Sequence, residues 1–323
     1  MLPINVDIDR MVMMIINVSL EQWEDFKRKL GANKVFYPFT EIYEGENKGM
    51  SKYRYSLNFG RGEGAIRVDY YHNTTPLHSK EATMRIEWNP AKHEYLNTEY
   101  VCEQTQRKTI HNPADRFWEI LKTTINKQGK MNRLTGEWTG NRREIRYIDF
   151  AFDFPVAKDK LVIFEKKGKQ KSNYKGTLYW GNKNSDGYMK VYDKKKERGN
   201  KLEKKYQKYD DITRVEVTLK FEQGVGYAGI NAIKDFELST MYDIYIFNEE
   251  KLKVDSTLKA MILCLINGLM EEKEFSRRYR DKLKSAFADM TKINLDIILQ
   301  KHIKQLMNLM YNKYIEKPII KQG

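Results

Sequence analysis

Four segments in the middle of the chain alternate apolar and polar residues at the spacing of a β-strand. They are residues 84–88, 145–154, 188–193 and 213–221. Successive side chains of a strand point to opposite faces of its sheet, so each segment has one apolar and one polar face. A sheet with core below and water above gives the same pattern. The alternation therefore predicts a half-buried sheet and leaves the purpose of its polar face open.

Helical and turn signals lie on both sides of these strands. Ser19 and Gln22 form a capping-box pattern ahead of an apolar stripe, which predicts a helix that begins at Ser19. Residues 60–64 are a glycine-rich turn between two alternating segments and predict a hairpin. A second helix is expected near Pro113, since proline favours the first helical turn.

Beyond about residue 233 the apolar spacing becomes helical, most clearly over residues 258–266 and 295–310. The predicted fold class is α+β, with a mixed or antiparallel central sheet followed by a helical region. We expect a sheet-based domain over residues 1–232 and a helical region over residues 233–323.

The polar faces carry carboxylates at places where strands seldom have them. Acidic residues are poor strand formers, yet Glu87, Asp149, Asp153 and Glu216 each lie within one of the four segments. On neighbouring strands these carboxylates would converge on a hard divalent cation such as Mg²⁺ or Mn²⁺, which prefers oxygen ligands. Alternation identifies the face of a strand and not its neighbour, so a solvated polar face remains the alternative.

Tyr192 shares the polar face of its segment with Lys190 and stands just before a lysine-rich run. A phenol titrates near pH 10, so it is a weak nucleophile unless a base or nearby cations favour its ionised form. A metal ion opposite and ammonium groups nearby would both activate the phenol and neutralise a phosphate group. The chain has 21 tyrosines, however, and pattern alone does not separate a nucleophilic tyrosine from a structural one.

Charge and cysteine content narrow the class of protein. Lys and Arg number 58 against 44 Asp and Glu, a net charge of +14, which favours a polyanionic partner such as nucleic acid over a merely soluble basic protein. Two cysteines exclude a disulfide framework and a four-cysteine zinc site. Without a signal-peptide pattern or a long apolar stretch, we expect a cytoplasmic protein with no membrane partner.

Several of these segments together resemble a known family, the plasmid rolling-circle replication initiators of the Rep-trans type. The similarity runs in order from about residue 9 to 285 and is strongest from 84 to 221. The stretches that carry it are Met84-Arg85-Ile86-Glu87-Trp88-Asn89-Pro90, Arg146 to Phe154, Arg214 to Lys220, and the run from Tyr179-Trp180-Gly181 through Tyr188-Met189-Lys190-Val191-Tyr192-Asp193 to Arg198.

The resemblance implies a protein that binds the double-strand origin of a plasmid and nicks one strand at an extruded hairpin. By motif position Tyr192 is the nucleophile that becomes linked to the 5′ phosphate, with Lys190 beside it as a second catalytic candidate. The free 3′ hydroxyl then primes synthesis, and the strand is later rejoined. The family acts as a homodimer with Mg²⁺ or Mn²⁺ and recruits a host DNA helicase. The same four carboxylates are the candidate metal ligands.

Basic residues near the motifs and in the helical region are the candidates for DNA binding. The resemblance implies that residues 1–232 are the catalytic nicking-closing domain. It attributes the choice of origin to the C-terminal part of the chain, so that residues 233–323 would serve DNA recognition and dimerisation. The candidates are Arg85, Arg146, Lys194, Lys195, Lys196, Arg198, Arg214, Arg277, Arg278 and Arg280.

Three alternatives remain at the level of sequence. Conjugative relaxases resemble the same family and use the same chemistry. A DNA-binding protein without catalysis would also be basic and rich in aromatic residues. A metal-dependent nuclease would use the carboxylates with water as the nucleophile. A covalent protein–DNA adduct at Tyr192 would distinguish strand transfer from the last two.

Overall fold

The computed structural model describes most of the chain. The described residues are 3–32, 40–44, 55–59, 66–71, 82–93, 98–101, 108–111, 113–125, 130–131, 138–183, 185–225, 237–266, 270 and 274–313. The predicted glycine-rich turn at residues 60–64 lies outside them. No helix in these ranges is long and apolar enough to cross a membrane.

Strands predominate up to residue 225, and most of the longer helices follow. In chain order the elements are β1 (Asn5–Ile16), α1 (Leu20–Ala32), β2 (Thr40–Glu44), β3 (Tyr55–Phe59), β4 (Ile66–Tyr71), β5 (Thr83–Trp88), α2 (Pro90–His93), β6 (Thr98–Val101), β7 (Lys108–His111), α3 (Pro113–Thr124), β8 (Lys130–Met131), β9 (Trp138–Thr139), β10 (Arg142–Phe154), β11 (Leu161–Glu165), β12 (Lys171–Tyr174), β13 (Thr177–Trp180), β14 (Tyr188–Asp193), α4 (Lys194–Arg198), β15 (Thr213–Val225), β16 (Tyr242–Ile246), α5 (Ser256–Ile266), α6 (Arg277–Ala286), β17 (Thr291–Ile293) and α7 (Leu295–Lys313).

The chain folds into two compact units. The first unit contains residues 1–7, 150–219 and 234–304, and the second contains residues 8–149, 220–233 and 305–323. Residues 234–304 thus pack in the same unit as strands β12 to β14. Residues 233–323 were predicted to form a separate region. That division and the DNA-recognition role of the region stay predictions.

The first unit holds an antiparallel sheet and a smaller sheet covered by helices. Its larger sheet has the strand order β12-β13-β14, followed by the parts of β15, β10 and β1 that belong to this unit, residues 213–219, 150–154 and 5–7. Its smaller sheet has the order β11-β16-β17. Phe164, Phe247, Ile262, Leu283 and Phe287 form part of a buried core that joins this sheet to α5 and α6. The apolar residues that predicted the helices therefore bury one face of each.

The second unit holds a sheet with the strand order β10-β1-β5-β4-β3-β2 and two helices, α1 and α3. The predicted capping box is present at the start of α1. The backbone N–H of Gln22 donates to Ser19 Oγ at 3.1 Å, and the backbone N–H of Ser19 donates to Gln22 Oε1 at 3.0 Å. Trp23 on this helix stacks on Tyr70 of β4, with 4.9 Å between the ring centroids.

The α+β class predicted from the sequence is confirmed by these sheets and helices. The C-terminal region differs in one respect, since it contains the short strands β16 and β17 between its helices. Strand β16 has the sequence Tyr-Asp-Ile-Tyr-Ile, which alternates, and it pairs in antiparallel with β11. These two short strands were not predicted, because the longer segments with helical spacing, residues 258–266 and 295–310, dominate the pattern of this region.

Candidate active site

Tyr192 lies in the larger sheet of the first unit and is held by a carboxylate on the next strand. Its phenolic Oη donates a hydrogen bond of 2.6 Å to Glu216 Oε1. The ammonium group of Lys190 forms an ion pair with Glu216 Oε2, and Lys190 and Glu216 are directly opposed in the antiparallel pair β14–β15. One carboxylate therefore contacts both the hydroxyl and the ammonium group.

The local sequence explains why these polar side chains share a face. Met189 and Val191 alternate with them on β14 and are buried on the opposite side. Strand β14 ends at Asp193, the residue after Tyr192. The Asp193 side chain accepts a hydrogen bond of 2.9 Å from the backbone N–H of Lys196 and caps α4. The tyrosine thus stands at the last polar position of the strand before the chain turns.

Tyr188 is the nearest alternative nucleophile on the same face, and its surroundings differ. Tyr188 is only 8% exposed, whereas Tyr192 is half-buried. Its ring stacks on that of Tyr179 at a centroid distance of 6.2 Å. Tyr179 in turn is opposed to Lys190 across β13–β14. The two stacked tyrosines therefore lie next to Lys190 on this face, while the hydroxyl of Tyr192 meets the carboxylate of Glu216.

A second, fully buried polar cluster lies in the same unit around Asp153. Arg214 Nε donates to Asp153 Oδ1 at 2.7 Å and Arg214 Nη2 donates to Oδ2 at 2.9 Å. Lys194 Nζ donates to Oδ2 at 2.8 Å, and the hydroxyl of Tyr206 donates to the same oxygen. Burial alone would raise the pKa of Asp153, but the bonds from Arg214 and the charge of Lys194 lower it to about 2.

The carboxylates of the second unit are paired with arginine. Arg10 Nε donates to Asp149 Oδ2 at 2.8 Å, and Arg10 Nη1 lies 3.8 Å from Glu87 Oε1. Arg85 forms a further ion pair with Glu87. Burial raises the pKa of Glu87, but Arg85 and Arg10 outweigh burial and hold this pKa below its ordinary value. Both carboxylates thus have arginine side chains as their ion-pair partners.

The predicted metal site would need several of these carboxylates to converge on one point. Among the described residues, no three His, Cys, Asp or Glu side chains form a group that could hold a metal ion. Asp149 and Glu87 belong to the second unit, Asp153 and Glu216 belong to the first, and all four bind lysine or arginine within their own unit. The donor set in this structure therefore does not fit a metal, and metal binding stays a prediction.

The predicted DNA-binding residues have different degrees of exposure. Lys194 is 1% exposed, and Arg214 is also buried, both on Asp153. The exposed residues of this set are Lys196, Arg277 and Arg278. The partly exposed ones are Arg85, Arg146, Lys195, Arg198 and Arg280. Contact of any of them with DNA stays a prediction, and for Lys194 and Arg214 it would require their buried ion pairs to open.

Two residues of these clusters were not identified from the sequence. Arg10 is the last charged residue of β1, directly after Asp9 and before an apolar run that ends at Ile16, and no motif distinguished it. Tyr206 follows a lysine-rich segment that has no strand or helix period, so its sequence context gave no signal. Burial and the negative charge of Asp153 raise the pKa of Tyr206, which keeps it a hydrogen-bond donor.

Comparison with known proteins gives two similarities. No family model matches the chain. A replication initiation protein from Staphylococcus aureus is 24% identical over 164 residues, which are 49% of this chain and 49% of that protein. The chain thus spans about half the length of the curated relative that it matches. The solved structure of the rolling circle replication initiator protein from Geobacillus stearothermophilus is 14% identical, with a TM-score of 0.39 over 87% of this chain and 96% of that one.

The resemblance inferred from the motifs at residues 84–90, 146–154, 179–198 and 214–220 is therefore confirmed, and the chain is similar to replication initiation proteins.

Proposed function

We propose that this protein initiates rolling-circle replication of a plasmid by nicking one strand of origin DNA through Tyr192, and later rejoins the strand. One observation carries the proposal, namely the hydrogen bond of 2.6 Å from the Tyr192 hydroxyl to Glu216. A phenol needs a base to attack phosphorus at neutral pH, and Glu216 is in direct contact with its proton. The similarity to a replication initiation protein supports the biological role.

The chemistry is an in-line displacement at phosphorus. The phenolic oxygen of Tyr192 forms a bond to the phosphorus atom while the bond from phosphorus to the 3′ oxygen breaks, and Glu216 takes the phenolic proton. The departing oxygen takes a proton to become a 3′ hydroxyl, and Lys190 is placed to give it. The proton on Glu216 then returns to Lys190 across their ion pair, so the two side chains recover their charges.

Lys190 has a second part in this mechanism. Negative charge grows on the nonbridging phosphate oxygens during the displacement, and a preorganised ammonium group stabilises that charge. Lys190 is fixed by its bond to Glu216 on the polar face that carries Tyr192. It is therefore positioned before DNA arrives, and little side-chain ordering is left for the reaction.

Other parts of the proposal come from the motif resemblance. They are a requirement for Mg²⁺ or Mn²⁺, action as a homodimer, recruitment of a host DNA helicase and a cytoplasmic location. No step of the chemistry above passes through a metal, because the carboxylates of this structure are engaged by lysine and arginine side chains.

The proposed chemistry is tested by the formation of a covalent adduct between the protein and DNA. The protein is incubated with negatively supercoiled origin plasmid and Mn²⁺, and protein–DNA bands stable to SDS are quantified. We expect Tyr192→Phe to abolish the band and to retain DNA binding in a gel-shift assay, because only the nucleophilic oxygen is removed. Tyr188→Phe is the matched control on the same strand and should retain the band.

Each other outcome has a definite meaning. An adduct that persists in Tyr192→Phe and disappears in Tyr188→Phe would move the nucleophile to Tyr188. Nicked DNA without any adduct would indicate a nuclease that uses water. Binding without nicking or adduct would leave a DNA-binding protein and refute the proposed catalysis.

A further inference from the structure

A basic cavity lies in the first unit, between the strand segment that includes β11 to β13 and the helices α5 and α6. Its volume is about 410 Å³, within the range of pockets that hold small ligands. Ile163, Trp180 and Leu265 contribute its apolar lining. Lys166, Lys169, Lys171, Arg280 and Glu165 supply its charged groups. The cavity thus combines an apolar surface with several cations.

Among the lining residues that the structure describes, the single carboxylate is already occupied by hydrogen bonds. Glu165 Oε1 accepts a hydrogen bond of 2.7 Å from the backbone N–H of Lys167, and Oε2 accepts one of 2.8 Å from that of Lys169. Lys166 is paired with Asp243 at 2.8 Å, outside the lining. The cavity is therefore electropositive, and it is suited to an anion.

Arg280 is the cation best placed to receive a ligand. Its guanidinium group makes no hydrogen bond or ion pair with any residue that the structure describes, and the side chain is partly exposed. The ammonium group of Lys171 lies 5.7 Å from the centre of the Trp180 ring. An aromatic ring beside cations is a combination that binds the base and the phosphate of a nucleotide.

The cavity and Tyr192 lie on opposite faces of the same sheet. Trp180 is opposed to Met189 across β13–β14, whereas Tyr179 is opposed to Lys190. Because alternate residues point to opposite faces, Trp180 faces away from Lys190 and Tyr192. Strand β12 is the outermost strand of this sheet in the described chain. A DNA strand leaving Tyr192 can therefore reach the cavity around the β12–β13 edge.

We infer that this cavity is a nucleotide-binding site in which Arg280 and Lys171 hold a phosphate and the apolar lining receives an unpaired base. The inference rests on the proposed function, since that function brings unpaired DNA to this unit. The same chemistry would also accept a free nucleotide, so the source of the ligand is part of the test. The site is separate from the reacting phosphate and would hold a flanking part of the strand.

The experiment is performed in the Tyr192→Phe protein, so that binding is measured without strand transfer. The probe is a fluorescein-labelled single-stranded oligonucleotide of mixed sequence, and anisotropy gives Kd over a range of salt concentrations. We expect Lys171→Gln together with Arg280→Gln to raise Kd by about tenfold. The slope of log Kd against log salt should fall by about 0.7, because one phosphate group of the single strand is then no longer neutralised by the protein.

A matched control removes a charge from the same helix. Lys284 is an exposed residue of α6 that does not line the cavity. Lys284→Gln should leave Kd and the salt slope close to those of the parent protein. If the double variant and the control weaken binding equally, the inference is overturned, because the effect is then one of general charge.

The source of the ligand is tested through the fluorescence of Trp180. Quenching of tryptophan fluorescence is measured in the protein with Trp180 and in Trp180→Phe, and the difference is assigned to Trp180. The measurement is made with the oligonucleotide and, separately, with a deoxynucleoside monophosphate. Quenching by the oligonucleotide supports a DNA site, and quenching by the monophosphate alone supports a site for free nucleotide. Absence of quenching by both overturns the inference, whether or not the adduct at Tyr192 forms.

Discussion

Glu216 illustrates at the residue scale how one side chain serves two partners. Its two carboxylate oxygens contact the Tyr192 hydroxyl and the Lys190 ammonium group, and it is buried. A buried carboxylate is tolerated when its charge is paired. Here its ion-pair partner, Lys190, lies on the polar face that also carries Tyr192. The same contact that stabilises the sheet is the contact that the proposed reaction uses.

Replacement of Glu216 by glutamine should therefore impair catalysis more than binding. We expect the rate of adduct formation at saturating DNA to fall by about 10² to 10⁴, because the base is removed, while Kd changes little. Single-turnover kinetics measures the rate, and a gel shift measures Kd.

Glu216→Asp serves as the comparison, since it keeps a carboxylate but places it farther from the Tyr192 hydroxyl. It should recover part of the rate. Equal loss of binding and cleavage in Glu216→Gln would instead assign Glu216 a role in folding.

At the scale of secondary-structure elements, Asp153 joins β10 to β15 through Arg214 and to the start of α4 through Lys194. The folded-state pKa of Asp153 is about 2, below its ordinary value of 3.8. Its ionised form therefore stabilises the fold above about pH 4, by about 2 kcal/mol, and that contribution is lost as pH falls toward 2.

Asp153→Asn should reduce the free energy of unfolding at pH 7 by about 3 to 5 kcal/mol, because Arg214 and Lys194 keep buried charges without their partner. Between about pH 4 and 2 the variant should lose less stability than the parent protein. Urea denaturation at several pH values tests this, with Glu249→Gln as the control at an exposed ion pair with Lys259. Similar acid sensitivity in parent and variant would contradict the assignment.

The elements themselves were largely predictable. The bounds of β14 agree with the sequence prediction residue for residue, because alternation is clear and Gly187 precedes this strand. Alternation also placed Tyr192, Lys190 and Glu216 on polar faces. It did not predict that Glu216 is opposed to Lys190, since register depends on which strands become neighbours.

Lys194 shows the other limit of sequence reasoning. A run of three lysines is typical of a solvated surface, and two of the three fit that interpretation at least in part. Lys194 is buried because Asp153, distant in sequence, compensates its charge. No local pattern around residue 194 contains that information. The four carboxylates were likewise recognised as unusual, but their arginine and lysine partners were not.

At the scale of the whole molecule, the net charge of +14 concerns DNA binding, whereas the predicted cation requirement concerns adduct formation. We expect EDTA to abolish adduct formation and Mn²⁺ or Mg²⁺ to restore it, while DNA binding persists in EDTA because the basic surface supplies it. The adduct assay and a gel shift on the same samples measure the two. An adduct of equal yield in EDTA would refute the metal requirement.

The shared carboxylate of Glu216 has a consequence for the lifetime of the DNA-linked protein. On the proposed chemistry, the proton from Tyr192 stays within the Glu216–Lys190 pair, and the energy of the broken phosphodiester is kept in the tyrosine ester. Nothing has to be supplied from solution or from a nucleoside triphosphate before sealing. The linked protein can then wait through a complete round of synthesis, and the first 3′ hydroxyl to return to the site determines whether the product is the original circle or a new one.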